Sequence, residues 1–270
     1  MGVNFAGVAY VYTDGDIAFD PVLELEDVTM ELDTWAAKYI RTFELFNRSA
    51  RVDIGQGYQE AKWKGLLSGN PAATSRQGLS DSFARFAVNL YGSPPLAGQD
   101  FAAYRATRST DTIVGMGLAV RLPTGDYQDE KLLNLGGNRF VFRPQLGVSH
   151  TRNKWTSELT AEVAIYTDND KFFDGNELEQ DPLYLLHAHL MYTFRPGLWV
   201  GASLGYDYGG EKTVNGVKKD DKKEHLGWGV SAAYPINPVL GVKLAYLNIR
   251  SKSATGVDLD SLVASLTYMW

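Results

Sequence analysis

Residues 259–270 read Leu-Asp-Ser-Leu-Val-Ala-Ser-Leu-Thr-Tyr-Met-Trp. Leu262, Ala264, Leu266, Tyr268 and Trp270 fall on one side of an extended chain, and Ser261, Ser265 and Thr267 on the other. Successive side chains of a strand point to opposite faces. The segment is therefore a strand with one apolar and one polar face, ending in an aromatic residue. The pattern recurs upstream. Leu226, Trp228, Val230 and Ala232 oppose His225, Gly227, Gly229 and Ser231, and Val200, Ala202, Leu204, Tyr206 and Tyr208 oppose Gly201, Ser203, Gly205 and Asp207. Helical spacing of apolar residues is scarce.

Composition narrows the class. The 270 residues include no Cys, 27 Gly, 15 Tyr, 12 Phe and 6 Trp, with a formal net charge of -6. Without Cys there is neither a disulfide scaffold nor a cysteine zinc site. A net acidic chain is a poor nucleic-acid binder, and no nucleic-acid partner is expected. A run of about 20 apolar residues, which a membrane-spanning helix requires, is absent. The start of the chain shows no basic and apolar leader, which fits either a cytosolic chain or a mature exported form with an added Met, and the strand pattern decides for the second.

The polar face separates a soluble sandwich from a membrane barrel. It is rich in Gly and Ser and carries isolated charges: Arg85, Arg143, Glu158, Glu162, His187 and His189. The apolar face gathers aromatics near strand ends, such as Trp155, Tyr184, Phe194 and Tyr268. A spanning barrel accounts for both, with tyrosine and tryptophan at headgroup level and a wet lumen inside. Strands are read near 3–13, 26–44, 47–64, 78–92, 109–121, 138–151, 154–167, 181–196, 197–210, 222–235, 238–252 and 259–270. Twelve is an even number, as bacterial single-chain barrels show. Connections at Thr151–Asn153, Arg195–Gly197 and Pro235–Pro238 are tight, and those near 65–77, 122–137, 168–180 and 211–221 are long and polar. Short periplasmic turns and long extracellular loops produce this alternation. Residues 93–108 break it, and Gln99–Arg108 reads as a short helix. The fold expected is all-β: an antiparallel transmembrane up-and-down barrel of about 12 strands, with residues 1–270 as one domain.

Several stretches carry a family resemblance: Leu122–Tyr127 (LPTGDY), Leu133–Arg139 (LNLGGNR), Tyr166–Asp174 (YTDNDKFFD), Gln180–Tyr184 (QDPLY), Tyr206–Glu211 (YDYGGE) and Val214–Gly216 (VNG). In this order the chain resembles the Gram-negative outer-membrane channel family named for the phenol (meta) degradation pathway. The resemblance is closest over residues 80–270. It implies a bacterial outer-membrane channel that admits small molecules, often hydrophobic or aromatic.

Candidate functional residues follow from parity. Arg51, Asp53, Asp81, Arg85, Arg121, Arg139, Arg143, Glu158, Glu162, His187, His189, Asp207, His225 and Lys243 should point inward. Arg85, Arg143, Glu158, Glu162, His187, His189 and Lys243 are the expected pore-lining and constriction set. Folding the hairpins about their turns places Arg143 opposite Glu162 and Glu162 opposite His187, near mid-membrane. Such a cluster filters solutes or braces a narrow wall. Inward glycines such as Gly201 and Gly229 either widen the lumen or let strands bend inward. Asp168, Asn169, Asp170 and Asp174 have the composition of a hard-cation loop but not the EF-hand spacing, and no metal site is expected. A hydrolase needs a nucleophile beside a base. None of the four His has a clear Ser partner on the lipid face, and Gly-x-Ser-x-Gly is absent. No catalytic residue and no cofactor are expected, since passive diffusion involves no covalent step. A structural or adhesive barrel is the competing reading. Expected partners are membrane lipids, lipopolysaccharide and small-molecule solutes, around a monomer.

Overall fold

The computed structural model describes residues 1–19, 25–98, 100, 103–104 and 107–270. The wall consists of β1 (Asn4–Ala18), β2 (Leu25–Leu45), β3 (Arg48–Leu67), β4 (Asn70–Leu79), β5 (Phe83–Tyr91), β6 (Thr110–Arg121), β7 (Val141–Arg152), β8 (Trp155–Tyr166), β11 (Leu183–Arg195), β12 (Leu198–Gly209), β15 (Lys223–Pro235), β16 (Leu240–Ser251) and β17 (Gly256–Met269). Neighbours are antiparallel, and β2 pairs with both β1 and β3, so the sheet closes on itself. β3 carries β4 along residues 58–67 and β5 along residues 50–55. β4 and β5 thus share one place, and the 13 bonded strands make a closed barrel of twelve positions. Closure removes the sheet edge, so every ladder group can pair without water.

One end holds tight turns at Phe46–Asn47, Asn153–Lys154 and Pro196–Gly197. There Asn4 and Trp270 exchange backbone hydrogen bonds at 2.9 and 3.1 Å, joining the two termini of the wall. The long segment between β5 and β6 also lies at this end. Its Gly98, Asp100, Ala103 and Tyr104 are helical, and Thr107 N donates to Ala103 O at 3.1 Å. Gln99, Phe101, Ala102, Arg105 and Ala106 of the expected helix lie outside the described residues.

At the opposite end three of the four expected loops are largely strand. β3 runs on to Leu67 and turns at Ser68–Gly69 into β4. Both turn residues have positive φ, 50° and 76°, a conformation that Gly adopts without steric cost. β9 (Asn169–Phe172), β10 (Asn176–Gln180), β13 (Lys212–Val214) and β14 (Val217–Lys218) form a second, four-stranded sheet. These strands are two to five residues long and, apart from buried Leu178, mostly polar, so no hydrophobic alternation marks them. The connection 122–140 stays irregular.

Along β2 and β3 the two faces exchange character. Next to the tight turns, outward residues are apolar or aromatic (Tyr39, Ile54) and inward ones are charged (Lys38, Asp53). Toward the far end, outward residues are charged (Glu31, Asp33, Glu60, Lys62) and inward ones are Leu32, Met30, Ala61 and Trp63. Val28, Ala61 and Trp63 are buried, with Ile17, Phe19, Leu133 and Leu135 packed against them. Length explains the exchange. The 21 residues of β2 reach about 70 Å at roughly 3.4 Å each. A strand of 12 residues such as β8 reaches about 40 Å, or some 30 Å once tilted, which is a bilayer core. The ends of β2 and β3 therefore stand clear of the wall. The 122–140 connection folds into their inner face and completes a small water-facing core.

Candidate functional site

The lumen is built by residue parity. β3, β5, β7, β8, β11, β12, β15 and β16 present Asp53, Arg85, Arg143, Glu162, His187, Ser203, His225 and Lys243 to the same interior surface, as their registers require. Nearest the tight turns, Asp53 is fully buried among three cations. Arg85 Nε donates to it at 2.6 Å, and Lys38 Nζ and Arg51 Nε stand 3.6 and 3.7 Å away. Lys38 was missed by sequence reasoning, although β2 parity alone turns it inward. Arg51 on β3 and Glu158 on β8, four strands apart in the wall, are within electrostatic reach of one another.

Higher up, Arg143 pairs with Glu162. The register partner of Glu162 on β7 is Gln145, whose Nε2 donates to it at 2.9 Å. Arg143 reaches the carboxylate diagonally. The expected third member is not there: Glu162 stands opposite Leu185, and His187 stands opposite Thr160 and Gly205. The β9–β10 hairpin turns at residues 173–175, at the expected centre, but its register slips by one residue between Asn176 and Leu178, and His187 ends two residues along the same face from the partner of Glu162. Glu158 accepts from Ser149 at 3.3 Å, and His189 Nδ1 lies 2.7 Å from Ser203 Oγ. Glu158 is the register partner of His189 on β8, but the two form no ion pair within 4 Å among the described residues. On the outer face, His150 bonds Thr112 at 2.8 Å, and Ser157 donates to the His150 carbonyl at 3.4 Å.

These groups border a luminal cavity of about 600 Å³, lined by Glu158, His187, His189, Trp199, Ser203, Asp207, Lys243 and Leu247 among others. Lys243 Nζ lies 5.9 Å from the Trp199 ring, within cation–π range. At Gly201 and Gly229 the missing side chain leaves no open space, because a neighbouring side chain already fills it. Added side-chain carbons at Gly201 and Gly229 would lie 3.1 Å from Met191 Cγ and 2.6 Å from Leu247 Cδ2. Ladder pairing runs unbroken through both glycines. Their role is to let large neighbours lie flat against the wall. A larger concavity of about 1080 Å³ lies on the outer face, lined by Tyr10, Trp155, Ala202, Ala232 and Ala264, away from the luminal charges.

The mouth distant from the tight turns is pinned by side chains of the 122–140 connection. Asp81, in the break between β4 and β5, accepts from Gly125 N at 3.0 Å and Gly137 N at 2.9 Å. Asp126 accepts from Leu79 N at 2.5 Å. Asn169 is buried and bonds Asn138 at 2.7 Å and Tyr127 at 2.9 Å, which makes it a structural residue of the cap. Arg139 stacks its guanidinium 4.6 Å from the Tyr166 ring centre and donates to Gln180. Burial pushes the Arg139 guanidinium below its ordinary value, with Tyr166 opposing and Arg121 adding to the shift. The Tyr127 phenol is pushed up by burial.

Most of the residues that lock the cap together lie in the six quoted stretches. The family described as “Putative MetA-pathway of phenol degradation” matches residues 13–255. The chain belongs to this family. No curated protein sequence matches it. An outer membrane channel from Pseudomonas putida F1 superposes with a TM-score of 0.83 at 19% identity, covering 100% of this chain and 96% of the channel. The β domain of the Bordetella autotransporter BrkA gives 0.51 at 11% identity, covering 100% and 99%. The transport unit of the Escherichia coli autotransporter AIDA-I gives 0.51 at 9% identity, covering 99% and 90%. The family member described here has their fold, an all-β membrane barrel.

Proposed function

We propose that this family member is a bacterial outer-membrane channel for passive uptake of small molecules, hydrophobic and aromatic compounds among them. The observation that carries the reading is a closed wall, apolar and aromatic outside, around a charged lumen holding a cavity of about 600 Å³. Leu204 and Leu262 are 58% and 59% exposed on the outer face, an arrangement stable against lipid and unfavourable in water. Aromatic groups at two heights support the same placement. Trp155, Tyr192 and Phe194 cluster with ring centres 4.9 Å apart near the tight turns, and Tyr10, Trp35 and Tyr58 cluster toward the other end. Such girdles sit at membrane interfaces. The tight turns are periplasmic and the cap is extracellular. The 1–270 chain works as one domain and as a monomer, in contact with membrane lipids and lipopolysaccharide. It carries out no catalysis and holds no cofactor. The aromatic solute class follows from the family description and from Trp199 in the cavity wall.

Within the passage, Arg85, Arg143, Glu158, Glu162, His187, His189 and Lys243 face permeating solutes, and the Arg143–Glu162 pair sets ion preference. Planar-bilayer recordings test this. The parent should conduct ions. Arg143→Ala should lower anion-to-cation permeability and Glu162→Ala should raise it, read as opposite shifts of reversal potential in a salt gradient. A silent, folded parent would favour an adhesive barrel. Conduction with unchanged selectivity in both variants would leave the pair as a brace for the wall.

A further inference from the structure

We propose that the extracellular mouth contains a binding site for small organic carboxylates, formed by Arg139, Arg121 and Lys223 beside Tyr166. The proposal rests on the channel reading and names a solute chemistry for it. Arg121 ends β6 and Lys223 begins β15, with β7, β8, β11 and β12 between them in the wall. Arg121 and Tyr166 flank Val141 as its two register partners, and Lys223 is within electrostatic reach of Lys212, Asp221, Arg139 and Arg121. Three cations thus converge on the mouth from well-separated parts of the rim. Like charges brought together repel, and an anion among them removes that repulsion.

The nearby carboxylates are already engaged. Glu162 is paired with Arg143, Asp221 lies 3.1 Å from Lys212, and Asp207 faces His225 at 3.9 Å. Asp168 reaches Arg139 only from an exposed position. Neither Arg121 nor Lys223 has an ion pair among the described residues.

Arg139 supplies the second observation. Its Nη2 donates to Gln180 Oε1, and Gln180 is fixed in turn by donating to Gly210 O at 2.8 Å. One face of the guanidinium lies on Tyr166, which packs against buried Val141, Ala164, Leu183 and Leu185. The remaining arm, Nη1, is buried without a hydrogen-bond acceptor. An arginine fork held rigidly with one arm vacant matches a planar carboxylate, which accepts from it in a charge-assisted bond.

Calorimetric titration of the folded chain in detergent tests the site, using benzoate and its neutral analogue benzyl alcohol as probes. Benzoate should bind saturably and at least about tenfold tighter than the alcohol, as a charge-assisted bond requires. Arg139→Gln should bring the two probes within about twofold, and Lys223→Gln, which leaves the stack of Arg139 on Tyr166 in place, should move benzoate in the same direction. Lys62→Gln, on the outer face of β3, should change nothing. Folding of each variant is read from heat-modifiable migration, and if Arg139→Gln does not fold, Lys223→Gln decides. Equal binding of acid and alcohol by the parent, or benzoate binding unchanged in the folded variants, overturns the proposal. Ion conduction measured on the same preparations separates the two readings. Conduction without benzoate saturation removes the site and keeps the channel, and saturation without conduction does the reverse.

Discussion

Leu204, at the middle of β12, turns outward and is 58% exposed, while Trp63, near the far end of β3, turns inward and is 7% exposed. The wall around Leu204 has its charges inside, Asp53 fully buried among Lys38, Arg51 and Arg85. The projecting cap around Trp63 has its charges outside, at Glu31, Glu60 and Lys62, and its apolar groups inside. The same strands pass through both regions without changing parity. What changes is the solvent on the outer face, lipid below and water above. A strand pair can therefore begin as membrane wall and end as the rim of a water-soluble core, and the 122–140 connection completes that core by adding Leu133 and Leu135.

The sharpest test removes the group on which each region is centred. Asp53→Ala should destabilise the wall by about 1–3 kcal/mol, because it leaves Lys38, Arg51 and Arg85, all partly open to the lumen, without their shared counter-charge. Trp63→Ala should cost the cap about 3–5 kcal/mol through its cavity. Urea titrations of the barrel in vesicles report the first. Protease sensitivity of the 122–140 connection reports the second. If Trp63→Ala lowers the stability of the spanning wall as much as Asp53→Ala does, the two regions are one cooperative unit and the contrast fails.

A smaller effect tests the exchange of faces directly. Leu204→Arg places a cation in the middle of the lipid-facing surface and should cost about 2–4 kcal/mol. Glu60→Arg makes a cation on the outward face of the cap and should stay within about 0.5 kcal/mol of the parent. Similar costs in the two folding equilibria would mean that the outer surfaces meet the same solvent.

The smallest expected effect concerns the pin between the regions. Asp81→Asn keeps the shape but weakens the bonds from Gly125 N and Gly137 N, a loss of about 1–2 kcal/mol for charge-assisted bonds. Amide exchange at Gly125 and Gly137 should speed up while the urea midpoint of the wall stays in place. Unchanged exchange at both amides would show that Leu133 and Leu135 hold the connection on their own.

The wall was legible in the amino-acid pattern. Lipid demands an apolar outer face, the strand period is two, and the aromatic C-terminal strand and the twelve segments follow from that demand. The diagonal reach of Arg143 to Glu162 survived a register estimate in error by two residues, because side chains two apart share a face. Tertiary structure decided the rest. His187 is offset by two residues from the partner of Glu162 because the β9–β10 hairpin, whose mostly polar residues give no alternating signal, carries a one-residue register irregularity between Asn176 and Leu178. Gly201 and Gly229 are explained only by Met191 and Leu247 lying across them. The convergence of Arg121, Arg139 and Lys223 could not be read from parity, since it depends on where an irregular connection and a distant strand meet across the mouth. Parity is a local property of each strand, whereas closure and loop packing are set by contacts between residues far apart in the chain.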